Sequence, residues 1–291
     1  MIAVTRAAGL RPDASLFFGG LHRSEIVLSY SGAMRNAAFT VAYWALSVTY
    51  GLMAALSVVV PGRATTQWFI RRYVRRMVQA MGVFAGIHIR VQGRENLPQG
   101  AFIVASKHQS WGDGFATYDQ FDDLAFVTGD HLEKLPLLGP ILRKLGAIVV
   151  DACGGHEARA TLKARAADAH RDGRKILIFP EGDLAPVGTK YRYRSGVWHM
   201  ARDFGMPVVP VATNLGLFWP PKGAPRRPGT ATLAFLPPIA AGDDKDAFIA
   251  ALESAIEAKT ADLVAEATGK SAVLAVRVAR FDEKEVPQPA A

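Results

Sequence analysis

From Asn36 to Gly62 the chain carries no charged side chain, and Ala37 to Val60 is almost wholly apolar. No other stretch limits the possible folds as strongly. As a helix rising about 1.5 Å per residue, it would reach roughly 36 Å, enough for a bilayer core of about 30 Å. Thr40, Ser47 and Thr49 are tolerable inside it, because a helix satisfies its own backbone. Pro61-Gly62 stops it. Such a segment needs a large apolar partner, either lipid or protein.

A second pattern follows. Ile70, Tyr73, Met77, Met81 and Phe84 recur at helical spacing with Val74 and Val78 beside them. Arg71, Arg72, Arg75, Arg76 and Gln79 project from the other side. A helix so divided either lies in a membrane interface with its arginines among anionic lipid phosphates, or packs on a protein core with a solvated face. The adjoining apolar run favours the membrane. Arg23 and Arg35 precede the run, whereas Arg63 and the four helix arginines follow it. That asymmetry puts the rest of the chain on the cytoplasmic side of an inner or cytoplasmic membrane, whether the run spans or turns back.

The 291 residues are half hydrophobic and carry a net charge of +8, which excludes disorder and calls for an anionic partner. The apolar stripe opposite the arginines points to lipid and not to nucleic acid. The single cysteine, Cys153, excludes a disulfide scaffold. Residues 1–33 show neither periodicity nor a signal-peptide core, and are read as a disordered extension with Met34 as an alternative start. Residues 34–85 form the membrane-associated helix pair, 86–285 an α/β domain and 286–291 a frayed tail. In the α/β domain, Ile87, Ile89 and Val91 alternate with polar residues, and short apolar runs recur at 101–105, 124–128, 146–150, 175–179, 207–212 and 231–236. Helix-length segments such as 156–172, 190–204 and 244–267 separate or follow them. This order predicts a layered domain with a mostly parallel or mixed sheet flanked by helices. Pro210 inside a strand predicts an edge or a bulge.

Three tracts could carry chemistry. Ser106-Lys107-His108-Gln109-Ser110-Trp111-Gly112-Asp113 follows a strand directly. His108 and Asp113 would sit about 140° apart on a continuous helix, so they meet only if His108 lies in the loop and Asp113 in the next turn. Asp113 would then hold one imidazole nitrogen and leave the other to take a proton. Ile178-Phe179-Pro180-Glu181-Gly182 presents a carboxylate at a strand end, where open α/β sheets place their sites. Lys190, Arg192 and Arg194 alternate with Tyr191 and Tyr193, as one wall of a phosphate groove would. Taken singly, each is as well explained by an ordinary turn, pair or solvated strand. No Gly-x-Ser-x-Gly elbow is present, Gly269-Lys270-Ser271 lacks the earlier glycine of a phosphate loop, and no Cys/His spacing suggests a metal.

Taken in order, these tracts resemble the motifs of the 1-acyl-glycerol-3-phosphate acyltransferase family, bacterial type. His108 and Asp113 match its His-x4-Asp, Phe179-Pro180-Glu181-Gly182 its third motif, and Val209-Pro210-Val211 its fourth. Ile148-Val149-Val150-Asp151 approximates the second, and Gly216-Leu217-Phe218-Trp219-Pro220 looks like the bacterial branch. The resemblance covers about residues 36–258. It implies a membrane-associated enzyme that needs no cofactor or metal. Acyl-CoA or acyl carrier protein would serve as the thioester donor and a lysophospholipid as the acceptor. His108 would deprotonate the acceptor hydroxyl, Asp113 would orient His108, and Glu181 would bind the acceptor with help from the Gly182 amide. Two departures stand out. Ala152 and Asp183-Leu184 occupy positions where the family usually has arginines for the acceptor phosphate. Either Lys190, Arg192 and Arg194 replace them, or the acceptor is a lyso-aminolipid or another lysophospholipid. A non-catalytic lipid-binding protein of the same fold is a further alternative.

Overall fold

The computed structural model describes residues 23–150, 156–221, 223–269 and 277–278. Residues 1–22, Asp151, Ala152, Cys153, Lys270, Ser271 and the tail from 286 lie outside the described residues.

The strands are β1 (Ile87–Gln92), β2 (Ile103–Ser106), β3 (Leu124–Gly129), β4 (Ile148–Val150), β5 (Lys175–Ile178), β6 (Thr189–Lys190), β7 (Val208–Thr213), β8 (Gly229–Phe235) and β9 (Arg277–Val278). The helices are α1 (Arg23–Leu56), α2 (Ala64–Ala80), α3 (Asp113–Tyr118), α4 (Asp130–Glu133), α5 (Leu138–Leu145), α6 (His156–Arg171), α7 (Gly196–Phe204) and α8 (Lys245–Thr268). Seven strands form one sheet in the order β1-β8-β7-β2-β5-β3-β4, and β6 pairs with β9 separately. Every pairing in the large sheet is parallel except β7 with β8, so the predicted layered, mixed sheet is what forms.

Side-chain alternation builds the layers. Ile103 and Ala105 of β2, with Ile176 and Ile178 of β5, pack beneath α6, α7 and α8 through Leu162, Val197 and Leu252. Phe102, Val104 and Leu177 face the opposite way, toward Val74 of α2 and Tyr118 of α3. Both faces of these strands are therefore covered, which explains why they read as continuous apolar runs. α8 places Phe248, Leu252, Ile256 and Leu263 inward, and its start is capped by the Asp244 side chain, which accepts from the Asp246 and Ala247 amides.

β7 lies inside the sheet, so Pro210 does not mark an edge. The ladder with β8 ends at Val211↔Phe235 and resumes as an isolated bridge, Val208↔Ile239. Leu236, Pro237 and Pro238 thus bulge opposite Val209 and Pro210, where the missing N–H of Pro210 is not needed.

The helix pair departs from expectation in two ways. α1 begins at Arg23, so residues 23–33 are helical and do not belong to a disordered extension. α2 buries Val74, Met77 and Ala80 in the protein, not in lipid. Its Arg71 pairs with Asp122 of the α/β domain, and Arg75, itself exposed, lies 4.0 Å from Asp119. Arg72 and Arg76 remain exposed, Arg72 over the Trp68 ring. α1 is bound to the protein along one side only. Asn36 bonds to Arg226, Phe39 stacks edge-on against Trp219, Ser47 bonds to Tyr73 and Ala54 packs against Ile141 and Leu145. Its other side presents Val41, Trp44, Val48, Leu52 and Leu56 to the outside, with Trp44 62% and Leu56 75% exposed.

Candidate active site

Adjacent parallel strands bring the two main tracts together. β2 and β5 are neighbours, so residues after Ser106 and after Ile178 emerge at the same carboxyl edge of the sheet. His108 lies in the loop after β2 and Asp113 opens α3, the arrangement their spacing requires. His108 Nδ1 is 3.3 Å from Asp113 Oδ2. The same oxygen accepts the Gln109 amide at 2.6 Å and the Ser110 amide at 2.7 Å, which fixes the carboxylate. Asp113 is wholly buried, whereas the His108 side chain keeps 21% exposure. With its Nδ1–H donated to Asp113, the ring has its lone pair on Nε2, the atom at which a proton can be taken. Phe179 holds the ring from one face, stacked at 4.0 Å between centroids and 20° from parallel. Gly112 between the pair has no room for a side chain. A Cβ there would meet Leu215 Cδ2 and Trp219 Cε3, each at 2.9 Å.

Glu181 is fully buried and its oxygens are occupied. Oε1 accepts from Lys107 Nζ at 2.8 Å and the Tyr191 amide at 3.1 Å, while Oε2 accepts the His108 amide at 3.3 Å. The sequence suggested that this carboxylate binds the acceptor; in the structure its oxygens are taken up by protein donors. Glu181 holds the histidine loop. Burial pushes its carboxyl above the usual carboxylate range, against the pull of the Lys107 ammonium. The Gly182 amide is likewise committed, donating to Phe179 O at 2.9 Å, and does not assist at the reacting centre. Gly182 adopts φ 74°, which favours glycine, and a Cβ there would lie 2.8 Å from Arg194 Nε, so the arginine would have to shift.

The three cations divide. Lys190 pairs with Glu253 of α8 and does not line a groove with the others. Arg194 lies across Gly182, its amide bonded to Pro180 O at 2.8 Å, and Arg192 is exposed on the same segment. Asp183 accepts the Leu184 amide at 2.8 Å.

Lys107, Glu257 and Tyr193 escaped the sequence reading. Lys107 Nζ donates to Glu257 Oε1 at 2.7 Å, and the Tyr193 hydroxyl donates to the same oxygen at 2.9 Å. Burial pushes the Tyr193 phenol well above its ordinary range, so it stays a donor. One signal was available. Lys107 continues a strand that is buried on both faces, and a buried ammonium must be paired.

Comparison with known proteins shows the family. A family model described as acyltransferase matches residues 88–214, which include His108, Asp113, the Phe179–Gly182 tract and Val209–Val211. The chain is 30% identical over 235 residues to the 1-acyl-sn-glycerol-3-phosphate acyltransferase of Pseudomonas aeruginosa, covering 80% of this chain and 91% of that protein. It is 27% identical to the Saccharomyces cerevisiae enzyme of the same name, over 65% of this chain and 63% of that protein. The crystal structure of the 1-acyl-sn-glycerophosphate acyltransferase PlsC from Thermotoga maritima shares the fold, with a TM-score of 0.64 at 20% identity over 80% of this chain and 97% of that one. The chain belongs to the 1-acyl-sn-glycerol-3-phosphate acyltransferase family and is an acyltransferase of phospholipid biosynthesis.

Proposed function

We propose that this enzyme moves a fatty acyl group from a thioester, acyl-CoA or acyl carrier protein, to the free hydroxyl of 1-acyl-glycerol-3-phosphate. The His108–Asp113 pair carries the reading: a partly exposed imidazole whose Nδ1 is held by a buried, amide-fixed carboxylate. His108 Nε2 takes the hydroxyl proton as the oxygen attacks the thioester carbonyl. The tetrahedral intermediate collapses with loss of the thiolate, which the imidazolium protonates. A well-placed general base such as His108 contributes about 10²–10⁴ in rate, and Asp113 orients the ring and stabilises its cationic form. No acyl-enzyme is needed, because a thioester is already activated.

Arg194 and Arg192 supply the positive charge that the missing motif arginines would have given. The position of Arg194 across Gly182 supports this, and the engagement of Lys190 with Glu253 removes the third candidate. Asp183, next in sequence to the Gly182 that Arg194 covers, favours a second reading, in which the acceptor is another lysophospholipid with less phosphate charge at this point.

The outward side of α1 sits in lipid. The residues from Gly32 to Val59 are long and apolar enough to cross a membrane, yet only 11% of the residues in their apolar stretch are buried in the protein. The helix is tied to the domain from Asn36 to Ala54, so it lies along the domain and embeds one face in the interface, on the cytoplasmic side. Arg72, Arg75 and Arg76 are the exposed arginines of α2 and are available to anionic lipid. The reading is tested by incubating the enzyme in vesicles with labelled acyl-CoA and a panel of lysolipids, then identifying the product by mass. Phosphatidate as the dominant product is expected. Acylation of a different lysolipid with lysophosphatidate untouched would overturn the acceptor assignment.

A further inference from the structure

Lys107 and Glu257 are 150 positions apart in sequence, yet their side chains meet at 2.7 Å behind the histidine loop. The cluster holds one ammonium and two carboxyl groups, with Lys107 and Glu181 wholly out of water and Glu257 only 12% exposed. Well-packed apolar side chains of similar volume often serve stability as well as a buried ion cluster does, so stability alone does not account for it. Its connections reach His108. Glu181 takes the His108 amide with one oxygen and Lys107 with the other. The second strong anchor of Lys107 is Glu257, which Tyr193 braces through the same oxygen.

We propose that Glu257, reaching in from α8, is a positioning residue for His108. It holds the Lys107 ammonium at the point where Lys107 can hold Glu181, and Glu181 then fixes the backbone from which the imidazole projects. The proposal rests on the reading of His108 as the base. Without Glu257, the ammonium keeps only Glu181 and the Thr189 carbonyl, is free to shift, and takes Glu181 with it. Displacements near 1 Å suffice to cost about 10²-fold in rate when a catalytic group is involved.

The test compares full-length wild type, Glu257→Ala and Glu257→Gln in vesicles, first by amide hydrogen exchange. The His108 amide is expected to exchange at least about tenfold faster in Glu257→Ala, with Ile103–Ala105 unchanged and Glu257→Gln intermediate because it keeps an acceptor oxygen. With acyl-CoA and lysophosphatidate, kcat should fall about 10- to 100-fold in Glu257→Ala while each KM stays within about twofold, and Glu257→Gln should recover part of the loss. Unaltered exchange at His108, or an acceleration spread evenly over Ile103–Ala105, would overturn the proposal. If Glu257→Ala does not fold, Tyr193→Phe takes its place, with the same local acceleration expected and the same result overturning it. A wild type without transferase activity would instead defeat the catalytic reading, and the exchange measurement would still decide the positioning role.

Discussion

Arg71 on α2 meets Asp122 at the surface, where the aspartate is 85% exposed, and Arg63 meets Asp123 at 2.8 Å nearby. Lys107 meets Glu181 and Glu257 in the interior, where neither Lys107 nor Glu181 touches water. Both arrangements join distant segments through opposite charges. The surface set docks the helix pair onto the α/β domain with groups that water already solvates, so each pair adds little. The interior set has no water to fall back on, so every member depends on the others and the geometry is rigid. The difference locates function: the exposed pairs align two parts of the molecule, and the buried cluster aligns one imidazole.

Breaking the interior set should have the largest effect. Lys107→Met leaves Glu181 and Glu257 facing each other without a cation, a loss of about 3–5 kcal/mol. For a chain of this size the melting temperature should drop by roughly 10 °C, and activity should fall with it. A melting temperature within a degree or two of wild type would show that the cluster tolerates an apolar centre.

Glu181→Gln tests the charge on the cluster. Because the Glu181 carboxyl is raised in the folded state, the native protein binds more proton than the unfolded chain in the window above the ordinary glutamate value. Stability from this group is therefore present below that value and declines as pH rises through the folded value, by no more than about 1.4 kcal/mol per pH unit. Glu181→Gln should flatten that decline in urea midpoints measured from pH 4 to pH 8. An identical pH dependence in both proteins would mean that Glu181 is not the raised group. The smallest effect belongs to the surface. Asp122→Asn should cost less than about 1 kcal/mol and leave activity unchanged, with any difference vanishing at high salt. A larger loss would blur the contrast between the two sets.

What the sequence revealed follows the range of each interaction. His108 and Asp113 were legible because five positions and a strand-to-helix turn are local facts. The meeting of that loop with Phe179–Gly182 was legible because strand ends gather at one edge of a parallel sheet. Glu257 was not, since it sits on an alanine-rich helix among other acidic residues and only tertiary packing brings it to Lys107. The amphipathic division of α2 was readable, but periodicity states that a helix face has an apolar partner without naming it. The protein core took that face, while the less periodic α1 kept its apolar side outward. The pairing of Lys190 with Glu253 was not legible, because alternation along a strand does not foresee a glutamate arriving from α8.

The central claim is that His108, held by Asp113, performs the transfer. Thiol release from acyl-CoA in the presence of lysophosphatidate tests it most directly, comparing wild type with His108→Ala in the same vesicles. Wild type should release thiol in step with phosphatidate formation. His108→Ala should lose at least about 10²-fold in rate with its melting temperature unchanged. Undiminished thiol release and product formation by a folded His108→Ala enzyme would contradict the account.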